Sequence, residues 1–314
     1  MKDFQKHLID SGYNSGTIFQ YLKLVEIFLI WAVKREKSIE EFNYHDMVMF
    51  IDDTMRSIYY SNNLNRTINR IMISITAYYD FLILRNNNLY NPAKSMRVKD
   101  PHRTLVHNLL SRSELNTLYE SYEVRDEREI RNKVILGFLV FQALSVSELH
   151  RLSISDIRLR SGTMMVRGDN SGKWRKGSTN RVLNLEALQI IDLIDYIDNI
   201  RPKILVNGFR KFPGRKPNEE NVVFRTDQVL LSIFGSPNLK NSLHHMFNNL
   251  RKVNPRLRSS IHIRQSVIAC WVDKHNLRQA QYMAGHRYVS STEYYKQVNI
   301  NDLKRQVLEC HPLG

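Results

Sequence analysis

Three groups of side chains in this 314-residue chain have types and spacings that chemistry could use. Arg264 lies in Ile261-His262-Ile263-Arg264-Gln265-Ser266, at the start of a helical run. About twenty residues on, Gly285-His286 opens a segment that continues through Arg287-Tyr288-Val289-Ser290-Ser291-Thr292-Glu293-Tyr294, and Tyr295 stands nine residues beyond that histidine. Upstream, Lys173, Arg175 and Lys176 crowd a polar, glycine-containing stretch. Arginine offers a planar fork for phosphoryl oxygens, lysine can protonate a leaving group, and a tyrosine hydroxyl can form a covalent ester. Other chemistries fit less well. Gly168 to Lys173 has three residues between its glycines where a phosphate-binding loop needs four, and Trp174 replaces the Ser or Thr that would meet magnesium. The eleven histidines form no compact Cys/His spacing, His244-His245 being the only adjacent pair, and no G-x-S-x-G elbow occurs. A two-metal site made of scattered carboxylates stays open, because such sites assemble from distant positions.

The Arg, Gly-His and Tyr at these spacings resemble the tyrosine recombinases of the phage-integrase family, whose C-terminal signature is H-x-x-R, then G-H, then a nucleophilic Tyr. The wording from Tyr282 to Thr292 is most similar to integrases of mobile elements in Bacteroidetes. The likeness covers most of the chain. Lys176-Gly177 with Arg181-Val182-Leu183-Asn184-Leu185 resembles the hairpin K-G-x-x-x-R-x-x-P-L, and Gln142-Ala143-Leu144-Ser145-Val146-Ser147-Glu148-Leu149 resembles T-G-L-R-x-S-E-L. The resemblance implies a mainly α fold with a small β-hairpin or sheet: an N-terminal helical core-binding (SAM-like) domain, then a catalytic domain of the DNA breaking-rejoining fold.

It also implies the chemistry: site-specific DNA recombination, for integration, excision or inversion, through a 3′-phosphotyrosyl link. Tyr295 would be the nucleophile, with Tyr294 as fallback. Arg264 and His286 would clamp the phosphate, and Lys176, or as second choice Lys173, would be the general acid, with no metal, cofactor or ATP. Two positions depart from the family pattern. Ser145 stands at the first catalytic arginine, so a replacement guanidinium is needed, and Arg151, Arg167 and Arg181 are the candidates. Ile261 stands at the histidine of H-x-x-R, and His262 comes one residue late, a rotation of roughly 100° on a helix. Glu148 is expected to orient its neighbours, and Ser145 to line the site. The expected partner is double-stranded DNA with a specific recombination site, met by Lys173, Arg175, Arg66, Arg70 and Arg103. A homotetramer on DNA and an accessory DNA-bending protein complete the expected assembly. The tail after Tyr295, with Leu303, Val307 and Leu308 at helical spacing, either docks on a neighbouring protomer or folds back.

The elements that must position these residues are mostly helical. Ile18, Tyr21, Leu22, Val25, Phe28, Leu29 and Ala32 recur at one-face spacing after Asn14 and Ser15, and Leu64, Ile68, Ile71, Ile75, Tyr78, Tyr79 and Leu82 do the same. A short helix over Asp46 to Met55 falls between them. Ser111 and Glu114 have capping-box spacing, a buried helix is expected over Arg131 to Leu144, and another over Leu188 to Ile200. Met164-Met165-Val166 and Arg181 to Leu185 read as strands of a hairpin or three-stranded sheet. Arg201 to Glu220, with three prolines and six Lys or Arg, reads as a basic loop. The domain expectation is 1–95 for the DNA-clamping unit, 96–108 for a basic linker and 109–314 for the catalytic unit with its tail.

Composition narrows the class. A formal net charge of +15 and a pI near 9.8 favour a polyanionic partner, nucleic acid ahead of membrane. The apolar run Val134 to Phe141 is too short to span a bilayer, and the two cysteines suit a reducing compartment. Composition thus leads to the expectation of a cytoplasmic setting, and the resemblance implies a bacterial one, on the nucleoid. Rival readings are a recombinase-like chain that only binds DNA, an acidic-triad metal-dependent transposase, and a type IB topoisomerase.

Overall fold

A computed structural model describes residues 1–57, 64–86, 89–99, 108–169, 177–211, 227–236 and 238–296. Its contacts divide the chain into two compact units, meeting in sequence between Thr104 and Leu105.

The first unit is helical because its apolar residues repeat at three and four positions and its helix starts carry caps. It comprises α1 (Lys2–Asp10), α2 (Ser15–Lys34), α3 (Tyr44–Ser57) and α4 (Leu64–Arg85). Asn14 caps α2 by accepting from the Thr17 N–H at 2.7 Å. The helix turns Ile18, Val25, Phe28 and Ala32 inward, where Phe28, Trp31, Phe42 and Phe50 pack edge to face. Its outer side carries exposed Phe19, Ile27, Ile30 and Val33. By length and composition alone, α2 could also cross a membrane, since its 20 residues hold an 18-residue window of mean hydropathy 1.5, longer than the contiguous run Val134–Phe141. The interrupting Lys23 and Glu26 hid it, because contiguous runs miss a helix-long average. Residues 96–99, expected to begin a linker, pack instead on α4. Met96 and Val98 join its core, and Asn69 exchanges hydrogen bonds with the Val98 backbone at 2.8 and 2.9 Å.

The second unit forms around α6 (Glu127–Gln142), whose residues Val134 through Val140 are all buried. Alongside are α5 (Arg112–Glu120), opened by the Ser111–Glu114 capping box, the short α7 (Val146–Arg151), α8 (Ala187–Asp195) and α9 (Arg201–Lys211). The chain then gives α10 (Lys240–Val253), α11 (Ser260–Lys274), α12 (Leu277–Ala284) and α13 (Ser290–Glu293). The strands β1 (Ile157–Arg158), β2 (Thr163–Val166) and β3 (Arg181–Asn184) make one antiparallel sheet in that order, with Met164 opposite Leu183 and Val166 opposite Arg181.

Arg201 does not begin a loop as expected. A π-turn over Tyr196–Ile200 joins α8 to α9 just ahead of Pro202, whose missing N–H disturbs the regular ladder. The cause is burial: Ile204 enters the core, and the Arg201 guanidinium donates twice to the Gln228 carbonyl, at 3.0 and 2.8 Å. Residues 212–226 lie outside the described part.

Candidate functional site

The site is built on four local structures whose geometry follows from their own residues. α6 ends at Ala143 in the left-handed region, φ 50°, and the Leu144 N–H closes the end on the Phe138 carbonyl at 3.2 Å. Ser145 then caps α7. Its hydroxyl accepts from the Glu148 N–H at 3.3 Å while Glu148 Oε2 accepts from the Ser145 N–H at 2.8 Å, a reciprocal capping box. The residue at the family's arginine position thus acts here as a helix cap.

β3 supplies the second piece. Its period-two alternation turns Arg181 and Leu183 inward and leaves Val182 and Asn184 outward. Arg181 is therefore fully buried, and its Nη1 donates to Glu148 Oε1 at 2.7 Å. The third piece is α11, capped by Ser259, from which Arg264 donates to Glu148 Oε2 at 3.1 Å, to the Ala284 carbonyl at 2.7 Å and to the Ala143 carbonyl. Glu148 thus lies between two guanidinium groups. Burial alone would raise its pKa, but Arg181, then Arg264 and the Ser145 N–H, hold it down at about 2.

The fourth piece is the turn after α12. Gly285 takes a left-handed φ of 68°, and the His286 N–H returns to the Gln281 carbonyl at 3.0 Å. A Cβ on residue 285 would collide with Arg181 Nη1 and lie 2.9 Å from its Cζ, so the turn and the buried guanidinium require glycine together. His286 Nδ1 pairs with Thr292 Oγ1 at 2.9 Å, and its ring stacks on Tyr295 with centroids 6.0 Å apart and planes 18° apart. Burial first, then Arg264 and Arg181, push the His286 pKa to about 4, so the imidazole is neutral at pH 7. Burial raises the Tyr295 phenol while Arg264 works to lower it, leaving the hydroxyl protonated near neutrality.

Arg264, His286, Tyr295, Glu148, Ser145 and Arg181 therefore come together from segments far apart in sequence. His262 does not join them. Its Nε2 pairs with the Asn108 carbonyl at 2.9 Å, and its Nδ1 accepts from the Arg258 N–H at 3.4 Å, which ties the start of α11 to the segment before α5. The one-residue offset rotates it off the cluster, and Ile261, at the motif position, is 65% exposed. Among the replacement candidates, Arg167 is held by Asp156 at 2.8 Å and Arg151 by Asp169 at 3.1 Å, so only Arg181 reaches the Glu148 cluster. Arg66 and Arg70 are exposed on α4, while Arg103, Lys173, Arg175 and Lys176 lie outside the described residues. The backbone next to Lys176 is described: the Gly177 N–H donates to the Asp169 carbonyl at 2.7 Å, and the Thr179 N–H to the Gly285 carbonyl at 3.1 Å.

Sequence reasoning did not single out Thr292 or the Gly285–Arg181 contact. Ser-x-x-Glu at 145–148 was a local capping signal and could have been read as one. Among the described residues, no group of three or more His, Cys, Asp or Glu could hold a metal ion.

Known proteins resemble the chain over most of its length. Residues 108–302 match the profile of the phage integrase family, and residues 1–86 that of the phage integrase N-terminal SAM-like domain. Tyrosine recombinase XerC of Bacillus pumilus is 24% identical over 311 residues, 97% of this chain and 93% of the relative. XerC of Bacillus subtilis is 23% identical over 321 residues, 99% and 96%. Among solved structures, the site-specific recombinase XerH in a post-cleavage complex with its difH substrate superposes with a TM-score of 0.69 at 15% identity, covering 97% of this chain and 92% of that one. The Tn1549 transposon integrase in complex with transposon right end DNA gives 0.64 at 16%, covering 98% and 97%. These likenesses establish a mainly helical fold with a SAM-like front part and a recombinase catalytic part.

Proposed function

The chain belongs to the phage integrase family, and on that premise we infer that it is a site-specific DNA recombinase, an enzyme that cleaves and rejoins DNA through Tyr295. The observation that supports Tyr295 is its ring, stacked on His286 and close enough to Arg264 for each to shift the other's proton affinity. The Tyr295 oxygen attacks the scissile phosphorus, its phenolic proton passing to solvent, as the bond to the 5′ oxygen breaks, leaving a 3′-phosphotyrosyl ester. Lys176 protonates the departing 5′ oxygen. Arg264, presenting its remaining N–H groups, and neutral His286 stabilise charge on the non-bridging oxygens. A 5′ hydroxyl of a partner strand then attacks the ester and restores both the phosphodiester and the tyrosine. The bond energy is stored in the protein throughout.

The substrate in this reading is double-stranded DNA carrying a recombination site, contacted by Arg66, Arg70, Arg103, Lys173 and Arg175. It is synapsed by a homotetramer, with an accessory DNA-bending protein where the sites require one. The wording around Gly285-His286 points to a mobile-element integrase of Bacteroidetes type, acting on the bacterial nucleoid. In this reading the first unit, with residues 96–99 packed on α4, clamps DNA, and the unit over 109–314 is catalytic.

The test uses a nicked duplex bearing the recombination site, so that the released strand diffuses away and the ester accumulates. With chelator present, wild type forms a protein–DNA adduct on a denaturing gel and Tyr295→Phe forms none. Absence of adduct on DNA shown to be bound would favour a DNA-binding protein without catalysis. An adduct that survives in the Phe variant would transfer the role to another tyrosine.

A further inference from the structure

Glu148 has two tasks that oppose each other electrostatically. Its Oε2 completes the cap of α7 with Ser145 and also holds Arg264 at 3.1 Å. A carboxylate at that distance offsets much of the field its guanidinium would present to a phosphate. Arg181 bears directly on this conflict. It is buried beside Gly285, Glu148 is its hydrogen-bond partner among the described residues, and its Nε and Nη2 are buried without partners there. The three ionised groups, Arg181, Glu148 and Arg264, sum to one net positive charge. Without Arg181 they would sum to zero, because Ser145 brings no charge. A buried guanidinium whose donors lack partners among the described residues is costly to keep, and a helix cap alone does not require it.

We propose that Arg181 is a positioning residue for strand cleavage: it balances Glu148, so that Glu148 can fix Arg264 without cancelling its charge toward the scissile phosphate. The proposal rests on the recombinase reading above. The cation that balances Glu148 thus comes from β3, at the hairpin arginine position, and acts through Glu148. β3 places it there by alternation, and Gly285 makes room for it.

A charge-neutralisation series tests this. Single-turnover adduct formation on the nicked duplex is measured for wild type, Arg181→Gln and the double variant Arg181→Gln/Glu148→Gln, alongside duplex affinity and melting temperature. Arg181→Gln is expected to bind the duplex as wild type does and to form adduct about 100-fold more slowly. The double variant, in which Arg264 again stands as the cluster's one charge, is expected to regain at least about tenfold over the single variant. The proposal is overturned by an Arg181→Gln rate within about threefold of wild type, or by a folded double variant no faster than folded Arg181→Gln. If Arg181→Gln does not fold, the double variant decides, because it buries neither charge of the Arg181–Glu148 pair. A rate within about tenfold of wild type supports the proposal, and a larger loss with duplex still bound overturns it. Failure of wild type itself to form adduct would strike the recombinase reading and not this one.

Discussion

At the residue scale, two groups in the cluster hold proton affinities far from their ordinary values, and both make the fold sensitive to acid. Glu148 is held at about 2, below its usual 4.5, so the folded chain binds fewer protons there than the unfolded chain. Its contribution is complete above the unfolded value and is lost as pH falls toward the folded one. His286 is depressed to about 4 from 6.5, and again the unfolded chain takes the proton first, so stability declines between those values. The two slopes have the same sign and follow one another. Urea denaturation should show a midpoint that is level near neutrality, falls as pH drops below about 6.5, and falls further below about 4.5. His286→Asn, which cannot take up the proton, should flatten the upper part of that decline and leave the lower part. A midpoint that rose on acidification would contradict both assignments.

The α12–Gly285–His286 turn shows how an element's end can carry a site. The left-handed φ at residue 285 closes the helix, aims His286 at Thr292 and Tyr295, and leaves the space that Arg181 fills. Gly285→Ala places a side chain both in an unfavourable backbone region and against a buried guanidinium pinned by Glu148. The expected cost is about 2 kcal/mol or more, read from the shift in urea midpoint at unchanged slope. An unchanged midpoint would show that the turn has room the packing denies. The same scale explains Ser145. Its N-cap bonds start α7, the six-residue helix that carries Glu148 at one end and Arg151 at the other, so this position supports the cluster through backbone geometry.

For the whole molecule, a surplus of fifteen positive charges has to be set beside a site proposed to hold one scissile phosphate. A single phosphodiester clamp cannot account for such a surplus, whereas contact along a duplex can. Affinity for the recombination site should therefore fall steeply with salt, the slope of log K against log salt being about −0.9 for each phosphate neutralised. Fluorescence anisotropy across a salt series should give a slope of magnitude about 5 or more. A slope near 1 would mean that the basic residues do not track the backbone. The exposed Phe19, Ile27, Ile30 and Val33 of α2 show that this surface is not uniformly charged.

What the amino-acid sequence determined by itself is what depends on near neighbours. The caps at Asn14, Ser111 and Ser145, the helical repeats of α2, α4 and α6, and the alternation that makes β2 and β3 strands are all set by residues a few positions apart. The spacing of Arg264, Gly285-His286 and Tyr295 was legible for the same reason, since one short stretch of chain carries it. Tertiary structure alone decided the rest. Arg264 meets Ala143 and Glu148 across more than a hundred residues, Arg181 on β3 meets Glu148 on α7, and His262 turns to Asn108 instead. It also converted part of the expected basic loop into α9 and drew residues 96–99 onto α4. The physical reason is common to all of these. A buried charge or polar group is stable only where a partner completes it, and which distant residue becomes that partner is settled by the packing of whole elements.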